Sequence, residues 1–292
     1  MQILTTTGWD AYELLDAGDG HRLERFGKYT LVRPDPQICW KPTLSKDTWN
    51  QADAFFVRTK NDVGEWKKNA NVPDRWLVTY KDLSFWAEPT PFKHTGIFPE
   101  QHLQWDWMRN KIREANRQTN ILNLFGYTGI ASIAVAAESA KVTHLDASKP
   151  SVTWAHENQI ASGLQDKPIR WIIDDAIKFT AREIKRGVKY DGIVMDPPIY
   201  GHGPNGERWD FMKDIPTLLN NCRAILSDDP LFMIINAYAI SASALMLGNL
   251  IRDYVSDLRG TIEVGELVLE EKSAHRLLST GIFCRWSSTK KS

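Results

Sequence analysis

The sequence predicts an α/β fold, in which a mostly parallel sheet of seven strands is covered by helices and closes with an antiparallel hairpin. From residue 121 onward, apolar strand-like runs alternate with helical segments. Such alternation is typical of parallel strands joined by right-handed crossovers. Residues 261–269 and 278–286 are both strand-like, and the short polar link between them leaves no room for a crossover helix. These last two strands should therefore pair antiparallel.

The first part of the chain has a different texture and is rich in Trp, Pro, Asp and Lys. Short β-like runs separated by turn residues occur at 30–33, 54–58 and 76–80. We expect a small β-rich N-terminal domain over residues 1–95 and an α/β domain over residues 96–292.

The remaining elements follow from periodicity. Residues 100–117 should form a connecting helix, because apolar side chains recur there at helical spacing among charged ones. The first five strands of the α/β domain are predicted at 121–125, 141–146, 169–173, 191–196 and 231–236. Its helices are predicted at 129–138, 150–162, 175–186, 210–226 and 241–256. Residues 201–208 are too glycine-rich for a helix or strand, so we expect a loop there that can act as a mobile cover.

Composition and charge argue against several classes of protein. The chain has 292 residues, of which 42% are hydrophobic and 25% charged, as in ordinary globular proteins. Its 36 basic and 36 acidic residues cancel, so no overall field attracts polyanions, although a local basic face remains open. The three cysteines and seven histidines lack metal-binding spacings, so we expect no metal. The three cysteines are far apart in sequence, so a reduced, cytoplasmic setting is expected. Without a signal peptide or a long apolar stretch, the protein is not expected to enter a membrane. The oligomeric state stays open.

A glycine-containing turn, Phe125-Gly126-Tyr127-Thr128-Gly129, lies between a predicted strand and a helix of small residues. Glycines at such a point let the backbone approach a ligand, and the helix start supplies unpaired N–H groups. The full GxGxxG pattern is absent, which argues against a pyrophosphate ligand. A tight turn without a ligand is the alternative.

Carboxylates follow the next two strands. Asp146 lies twenty positions after Gly126, where an acidic residue accepts hydrogen bonds from ribose hydroxyls of nicotinamide or adenosyl cofactors. A helix N-cap formed with Ser148 is the alternative. Asp174 and Asp175 follow the third strand, where a carboxylate can accept from an adenine amino group or can equally cap the next helix.

The segment Asp196-Pro197-Pro198-Ile199-Tyr200 follows the fourth strand. Successive prolines cannot donate to a sheet and stiffen the strand exit, so the carbonyls around Asp196 and Pro197 should point outward. This geometry suits recognition of an amino group or ring N–H, with Tyr200 placed to stack on a base. A purely structural turn is the alternative. The candidate substrate contacts are Pro198, Tyr200, His202 and Arg208, and Trp209 could also stack.

Four segments, taken in order, carry a resemblance to a known family. Residues 123–129, 145–148, 174–176 and 195–200 resemble the motifs of class I S-adenosylmethionine-dependent methyltransferases related to bacterial large-subunit rRNA methyltransferases. The resemblance covers roughly residues 90–286. It implies the Rossmann-like class I methyltransferase sheet, which also ends in an antiparallel hairpin, and S-adenosyl-L-methionine as the cofactor.

The resemblance also implies roles for individual residues. It places the amino-acid end of the cofactor against residues 125–129, and the ribose against Asp146. It places the adenine against Asp175 and makes Asp196 line the methyl-transfer site. Residues 95–101 resemble the family's lead-in to the domain, whose residues lie against the cofactor. The full set of expected cofactor contacts is Gln101, Asn123, Phe125, Gly126, Tyr127, Thr128, Gly129, Asp146, Ala147, Ser148, Asp175, Ala176 and Asp196.

One departure from the family bears on the reaction. Members that make 5-methylcytosine use a cysteine after strand four or five, whereas these strand ends read Asp-Pro-Pro-Ile-Tyr and Ile-Asn-Ala-Tyr here. A covalent pyrimidine mechanism is therefore disfavoured. We expect a methyltransferase that acts on a nitrogen atom of a base in rRNA or other RNA, with Asp196, Pro197 and Tyr200 as the catalytic residues.

Other functions stay open at this point. A methyltransferase of a small molecule or a protein would use the same cofactor site. An NAD-dependent oxidoreductase would explain Asp146, but the missing GxGxxG and the terminal hairpin oppose it. A non-catalytic RNA-binding or interaction protein could keep the same fold, although the glycine turn, Asp146 and the Asp-Pro-Pro segment argue for activity.

Overall fold

The computed structural model describes residues 1–60 and 63–289. The chain divides into two compact units. The α/β unit comprises Met1–Leu4, Leu103–Leu267 and Ser279–Ser292. The β-rich unit comprises Thr5–His102 and Val268–Leu278. The domains predicted over 1–95 and 96–292 divide the chain at a different residue, and they stay a prediction.

The elements follow one another in this order along the described chain. The first eight strands are β1 (Gln2–Thr6), β2 (Tyr12–Gly18), β3 (His21–Phe26), β4 (Tyr29–Pro34), β5 (Ala54–Lys60), β6 (Val63–Lys68), β7 (Trp76–Tyr80) and β8 (Leu83–Ala87). The later strands are β9 (Asn120–Leu124), β10 (Lys141–Asp146), β11 (Ile169–Ile173), β12 (Gly192–Met195), β13 (Tyr200–His202), β14 (Arg208–Asp210), β15 (Phe232–Ala237), β16 (Gly260–Glu270) and β17 (Leu277–Ser288). The helices are α1 (Lys46–Asn50), α2 (His102–Ala115), α3 (Ile130–Ala137), α4 (Lys149–Ala161), α5 (Ala176–Arg186), α6 (Phe211–Ile225) and α7 (Ala244–Val255), with a 3-10 turn at Pro99–Gln101.

The large sheet has the strand order β1-β16-β17-β15-β12-β9-β10-β11. Strands β15, β12, β9, β10 and β11 are parallel to one another, whereas β17 runs antiparallel to β15. Helices connect the successive parallel strands. The predicted fold class, a mostly parallel α/β sheet that ends in antiparallel strands, is confirmed.

The sheet has eight strands rather than the seven predicted, because β1 lies beside β16 at its edge. Two distant residues explain the pairing. The Gln2 side chain donates to Glu263 Oε1 at 2.8 Å, and a Cβ on Gly265 would lie 2.0 Å from the Gln2 carbonyl oxygen. The pairing therefore depends on a partner about 260 positions away, and no local pattern indicates it.

Residues 201–208 do not form the predicted loop. Strands β13 and β14 form an antiparallel hairpin that pairs His202 with Arg208. Its turn is closed by Gly206 N, which donates to the Gly203 carbonyl at 3.1 Å, and Gly206 has a φ of +87°. The glycines thus close a tight turn between two short strands instead of opening a mobile segment.

The centre of the large sheet is buried on both faces. Every residue of β12 and of β15 is buried, and the sheet packs against the apolar faces of α5, α6 and α7. Continuous apolar strands of this kind are typical of a parallel sheet covered by helices. The strand ends are therefore held on a close-packed base.

The β-rich unit contains a five-stranded sheet, β2-β3-β4-β5-β6, and a two-stranded sheet, β7-β8. Neighbouring strands are antiparallel except for β4 and β5. A charged cluster is buried inside it. Glu24 accepts hydrogen bonds from Tyr12 at 2.7 Å and from Arg33 Nη2 at 2.9 Å, and Arg22 Nε donates to Asp35 at 2.6 Å. Each buried charge thus has an opposite charge beside it.

The segment Val268–Leu278 completes the β-rich unit. Ser273 Oγ donates to the buried Asp16 carboxylate at 2.7 Å, and the Glu271 carboxylate accepts from Ala17 N at 3.0 Å. Asp16 also accepts from Leu44 N and Trp49 Nε1, both at 2.8 Å. Residues from opposite ends of the sequence therefore share one polar network.

Candidate functional site

The carboxyl ends of β9, β10, β11, β12 and β15 form one edge of the large sheet, here called the carboxyl edge. These strands are parallel and adjacent, so the segments that follow them meet at that edge. Four of the predicted site segments lie there: residues 125–129, 146–148, 174–176 and 196–200. The structure brings them together as the sequence motifs require.

The turn after β9 is wound tightly and strained. Phe125 and Tyr127 have φ angles of 55° and 49°, in the left-handed region that non-glycine residues rarely adopt. Gly126 N donates to the Leu145 carbonyl at 3.0 Å, which ties the turn to β10. Backbone strain of this kind clusters at ligand sites, where the surrounding structure holds it.

The two glycines of the turn are required by packing inside the protein. A Cβ on Gly126 would lie 2.4 Å from His144 Cε1. Gly129 has a φ of +76°, and a Cβ there would lie 2.6 Å from Ala155 Cβ on α4. A close approach of ligand to backbone stays a prediction, whereas the contacts with His144 and Ala155 by themselves already demand glycine.

A buried polar network beneath this turn was not predicted. Asn123 Nδ2 donates to Ser132 Oγ at 2.9 Å, and Ser132 Oγ lies 3.0 Å from His144 Nδ1. Burial lowers the pKa of His144 to about 3, so the imidazole is neutral. In the sequence, the network is indicated only by a histidine inside an apolar strand. The Asn123 amide supports the turn through this network, and its expected contact with the cofactor stays a prediction.

Asp146 links the ends of β9 and β10. One carboxylate oxygen accepts from Tyr127 N at 2.9 Å and the other from Ser148 N at 2.8 Å, while burial raises the pKa of Asp146. Ser148, and not Asp146, caps α4, because Ser148 Oγ accepts from Ser151 N at 3.3 Å. The carboxylate is thus oriented by backbone donors and retains lone pairs for a ribose hydroxyl. Ala147 lies between these two residues in the same turn.

The carboxylates after β11 are both bonded within the chain. Asp175 caps α5, since its Oδ1 accepts from Lys178 N at 2.9 Å, and Ala176 is the first helical residue. Asp174 forms an ion pair with Arg182 and accepts from Asp175 N at 2.8 Å. The capping role leaves lone pairs on the Asp175 carboxylate, and the adenine contact expected of it stays a prediction.

The segment after β12 contains two prolines and has an exposed aromatic at its end. Asp196 N donates to the Leu124 carbonyl at 3.4 Å, and burial raises the pKa of the Asp196 carboxyl to about 6. Pro197 is buried and Pro198 is exposed. The Tyr200 side chain follows at the surface, 74% exposed. The Asp196 carboxyl, with its raised pKa, thus precedes the exposed ring of Tyr200 by four positions.

Trp209 has a structural role that differs from the stacking role considered above. It is only 6% exposed, its Nε1 donates to the Pro198 carbonyl at 2.6 Å, and its ring packs on Phe125 with the centroids 5.0 Å apart. Trp209 therefore fixes the proline segment to the turn after β9. His202 and Arg208 face each other across the hairpin, and their contacts with a substrate stay predictions.

Two of the three cysteines lie buried in the α/β unit. Cys222 and Cys284 are buried, and burial raises the pKa of both thiols, that of Cys284 to about 12. Cys39 is exposed in the β-rich unit. Among residues 1–60 and 63–289, no group of three His, Cys, Asp or Glu residues could hold a metal ion. Within the same described ranges, no helix is long and apolar enough to span a bilayer.

Gln101 belongs to the β-rich unit, in the 3-10 turn Pro99–Gln101, where its backbone N donates to the Phe98 carbonyl at 3.1 Å. Its expected contact with the cofactor stays a prediction.

Comparison with solved structures supports the same fold. The chain is similar to an S-adenosylmethionine-dependent methyltransferase from Agrobacterium tumefaciens, with a TM-score of 0.96 and 40% identity, over 99% of this chain and 94% of that one. A proposed S-adenosylmethionine-dependent methyltransferase from Streptococcus mutans shares the fold, with a TM-score of 0.75 and 16% identity, over 96% of this chain and 76% of that one.

Among curated proteins, the chain is similar to ribosomal RNA large subunit methyltransferase K of Neisseria meningitidis serogroup B. The two are 23% identical over 226 residues, which is 73% of this chain. The match spans 61% of the length of that relative.

The glycine turn and the oriented Asp146 carboxylate fit an adenosyl cofactor. A family model described as S-adenosylmethionine-dependent methyltransferase matches residues 54–256, well over half of the chain. The protein therefore belongs to the S-adenosylmethionine-dependent methyltransferases, and S-adenosylmethionine is its cofactor.

Proposed function

We propose that the protein transfers a methyl group to a nitrogen atom of a base in RNA, with rRNA as the first candidate. The observation that carries the proposal is the end of β12, where a carboxyl with a pKa of about 6 precedes two prolines and an exposed tyrosine. A hydrogen-bond acceptor and a stacking surface side by side suit a planar ring that bears N–H groups.

The roles of the residues follow from their positions. The turn at residues 125–129 would hold the amino-acid end of the cofactor, Asp146 its ribose, and the segment Asp175 to Ala176 its adenine. When bound, S-adenosylmethionine supplies an electrophilic methyl group on a good leaving group. Asp196 and the Pro197 carbonyl would then orient the acceptor for in-line attack, which is where most of the rate gain lies.

Asp196 can also remove a proton. A general base works best when its pKa lies near the operating pH, and a carboxyl with a pKa of about 6 is mostly ionised at neutral pH. The raised pKa makes Asp196 a stronger base than an exposed aspartate. It can therefore accept the proton that the acceptor nitrogen loses.

Attack by nitrogen is favoured over attack by ring carbon. Methylation at C5 of a pyrimidine requires a covalent nucleophile, and the thiols of Cys222 and Cys284 are buried with raised pKa values. A nitrogen atom brings its own lone pair and needs only alignment and deprotonation. The groups after β12 provide these two functions.

An RNA acceptor is supported by the curated relative, whose name specifies ribosomal RNA of the large subunit. That relative is longer, so its substrate is only a guide. An rRNA acceptor would place the enzyme in the cytoplasm, with RNA as its partner. A small molecule or a protein is the competing acceptor class.

Labelled methyl transfer to separated RNA, protein and metabolite fractions tests the proposal. We expect label in RNA, and mass spectrometry of nucleosides from cells with and without the gene should show one N-methylated base that depends on it. Tyr200→Ala should raise the KM for RNA by about 5- to 150-fold, as expected for a lost stacking contact. Ile160→Ala, at an exposed apolar side chain near the end of α4, serves as the matched control. Label confined to protein or metabolites, or an unchanged nucleoside profile, would contradict an RNA acceptor.

A further inference from the structure

We infer that Tyr238, immediately after β15, is a second aromatic contact for the ring of the methyl acceptor, together with Tyr200. The inference rests on the proposed function, since it names how that acceptor is held. Tyr238 lies outside the motif formed by residues 196–200. Its place in the sheet provides the first line of support.

The sheet register brings the two tyrosine segments to neighbouring strand ends. Strands β12 and β15 are parallel and pair Met195 with Ile235. Pro198 and Tyr238 each lie three residues beyond that pair, and Tyr200 follows two residues after Pro198. Since adjacent strands lie about 4.8 Å apart, Pro198 and Tyr238 follow neighbouring points of the carboxyl edge, and Tyr200 begins β13 two residues after Pro198.

The chain becomes exposed at Tyr238, immediately after β15. All six residues of the strand are buried, and Ala237 is only 2% exposed, whereas the Tyr238 side chain is 38% exposed. A buried hydrogen bond also holds the end of β15, since Asn236 Oδ1 accepts from Gln104 Nε2 at 3.3 Å. Tyr238 is thus the first partly exposed residue after the buried strand.

The backbone next to Tyr238 is strained. Ala239 has a φ of 56°, in the left-handed region, like Phe125 and Tyr127 in the turn after β9. Two other non-glycine residues of the α/β unit with positive φ, Asn116 and Ser139, follow the ends of α2 and α3, where this conformation terminates helices. Ala239 follows a strand, so helix termination does not account for its conformation. Strain at a strand end beside a reaction site is typical of a residue held for binding.

Two exposed aliphatic side chains lie at the starts of the helices that follow these strands. Met212 and Leu245 are the second residues of α6 and α7, the helices that follow the β14 and β15 strands, and they are 64% and 60% exposed. The nearby charges at Asp210 and Lys213 form an ion pair of 3.5 Å. Exposed aromatic and aliphatic side chains of this kind suit an uncharged planar ring.

Kinetics of the Tyr238→Ala and Tyr238→Phe variants test this inference. The acceptor is total RNA from cells that lack the gene, and Ile160→Ala is the control. Tyr238→Ala should raise the KM for this RNA by about tenfold with little change in kcat, because a stacking contact is lost while the reacting groups remain. Tyr238→Phe should keep the wild-type KM, since the ring is retained. The affinity for S-adenosylmethionine should be unchanged in both variants.

The outcomes separate the two proposals. An active wild-type enzyme with an unchanged KM in Tyr238→Ala overturns the role of Tyr238 and leaves the RNA methyltransferase intact. A Tyr238→Phe variant as impaired as Tyr238→Ala also overturns it, because the hydroxyl and not the ring would then matter. A wild-type enzyme that labels no RNA overturns both. A variant that fails to fold is recognised by lost S-adenosylmethionine binding, and Ala239→Gly then replaces it. This change relaxes the strained turn and should also raise the KM, while an unchanged KM overturns the inference.

Discussion

Replacing Asp196 by asparagine should make the protein more stable at neutral pH while it lowers turnover. The side chain keeps its size, but its ability to ionise is lost. Folding raises the pKa of the Asp196 carboxyl from 3.8 to about 6, because burial disfavours the charged form. The folded wild-type protein therefore bears a cost whenever this group is ionised.

The size of the cost follows from the two pKa values. The difference between 3.8 and about 6 corresponds to at most ~3 kcal/mol, since one pH unit is about 1.4 kcal/mol. Because the pKa of the folded state is the higher one, the cost is absent below the unfolded pKa. It grows as the pH rises and is complete above the folded pKa. Wild-type stability should fall through this window relative to Asp196→Asn.

Urea denaturation at several pH values between about pH 4 and pH 8 measures the difference. The two proteins should have equal free energies of unfolding at the acid end, and the variant should gain up to ~3 kcal/mol at the alkaline end. Asp228→Asn, at an exposed carboxylate outside the site, controls for the loss of one negative charge. Parallel pH profiles for wild type and Asp196→Asn would refute the reasoning. Full turnover in the variant would refute the role of Asp196 as a base, because asparagine can still accept a hydrogen bond but cannot take up the proton.

Three further predictions follow from the same site. Asp146→Ala should weaken S-adenosylmethionine binding by about 1.5–3 kcal/mol, measured by calorimetry, and an unchanged affinity with intact fold would reject the ribose contact. Gly126→Ala should lower the free energy of unfolding by about 1–3 kcal/mol, because its Cβ would displace His144, and a neutral effect would show that the imidazole can move away. Trp209→Phe keeps an aromatic ring, although a smaller one, but removes the donor to the Pro198 carbonyl, so kcat should fall more than the affinity for the cofactor. Equal kcat in Trp209→Phe and wild type would mean that the proline segment is rigid without this bond.

The central sheet could be predicted from the sequence because its strands are locally encoded. The structural bounds of β10 and β11 are the predicted ones, since each is a short apolar run between turn residues. The strand β1 and the hairpin of β13 and β14 were missed. The first depends on a partner across the whole chain, and the second was obscured by glycines that can indicate either a loop or a tight turn.

The sequence predicted which strand end carries each candidate site residue, but not the contacts among these residues. The order of motifs placed Asp146 and Asp196 at the carboxyl edge, because parallel strands bring their ends together. Sequence alone did not reveal that Trp209 is buried against Phe125, or that His144 supports the turn. Tyr238 was also missed, since an aromatic residue after a strand looks the same whether it packs in the core or faces a substrate.

The segment Val268–Leu278 sets the order in which the chain can complete its folding. The bonds from Ser273 to Asp16 and from Glu271 to Ala17 join residues 257 and 254 positions apart. At a synthesis rate of about 5–20 residues per second, roughly 13–50 s separate the emergence of Asp16 from that of Ser273. Until Ser273 and Glu271 have been synthesised, Asp16 and Ala17 lack these hydrogen-bond partners. The β-rich unit, although most of it is synthesised first, can therefore be completed only after residues 103–267 of the α/β unit have been made.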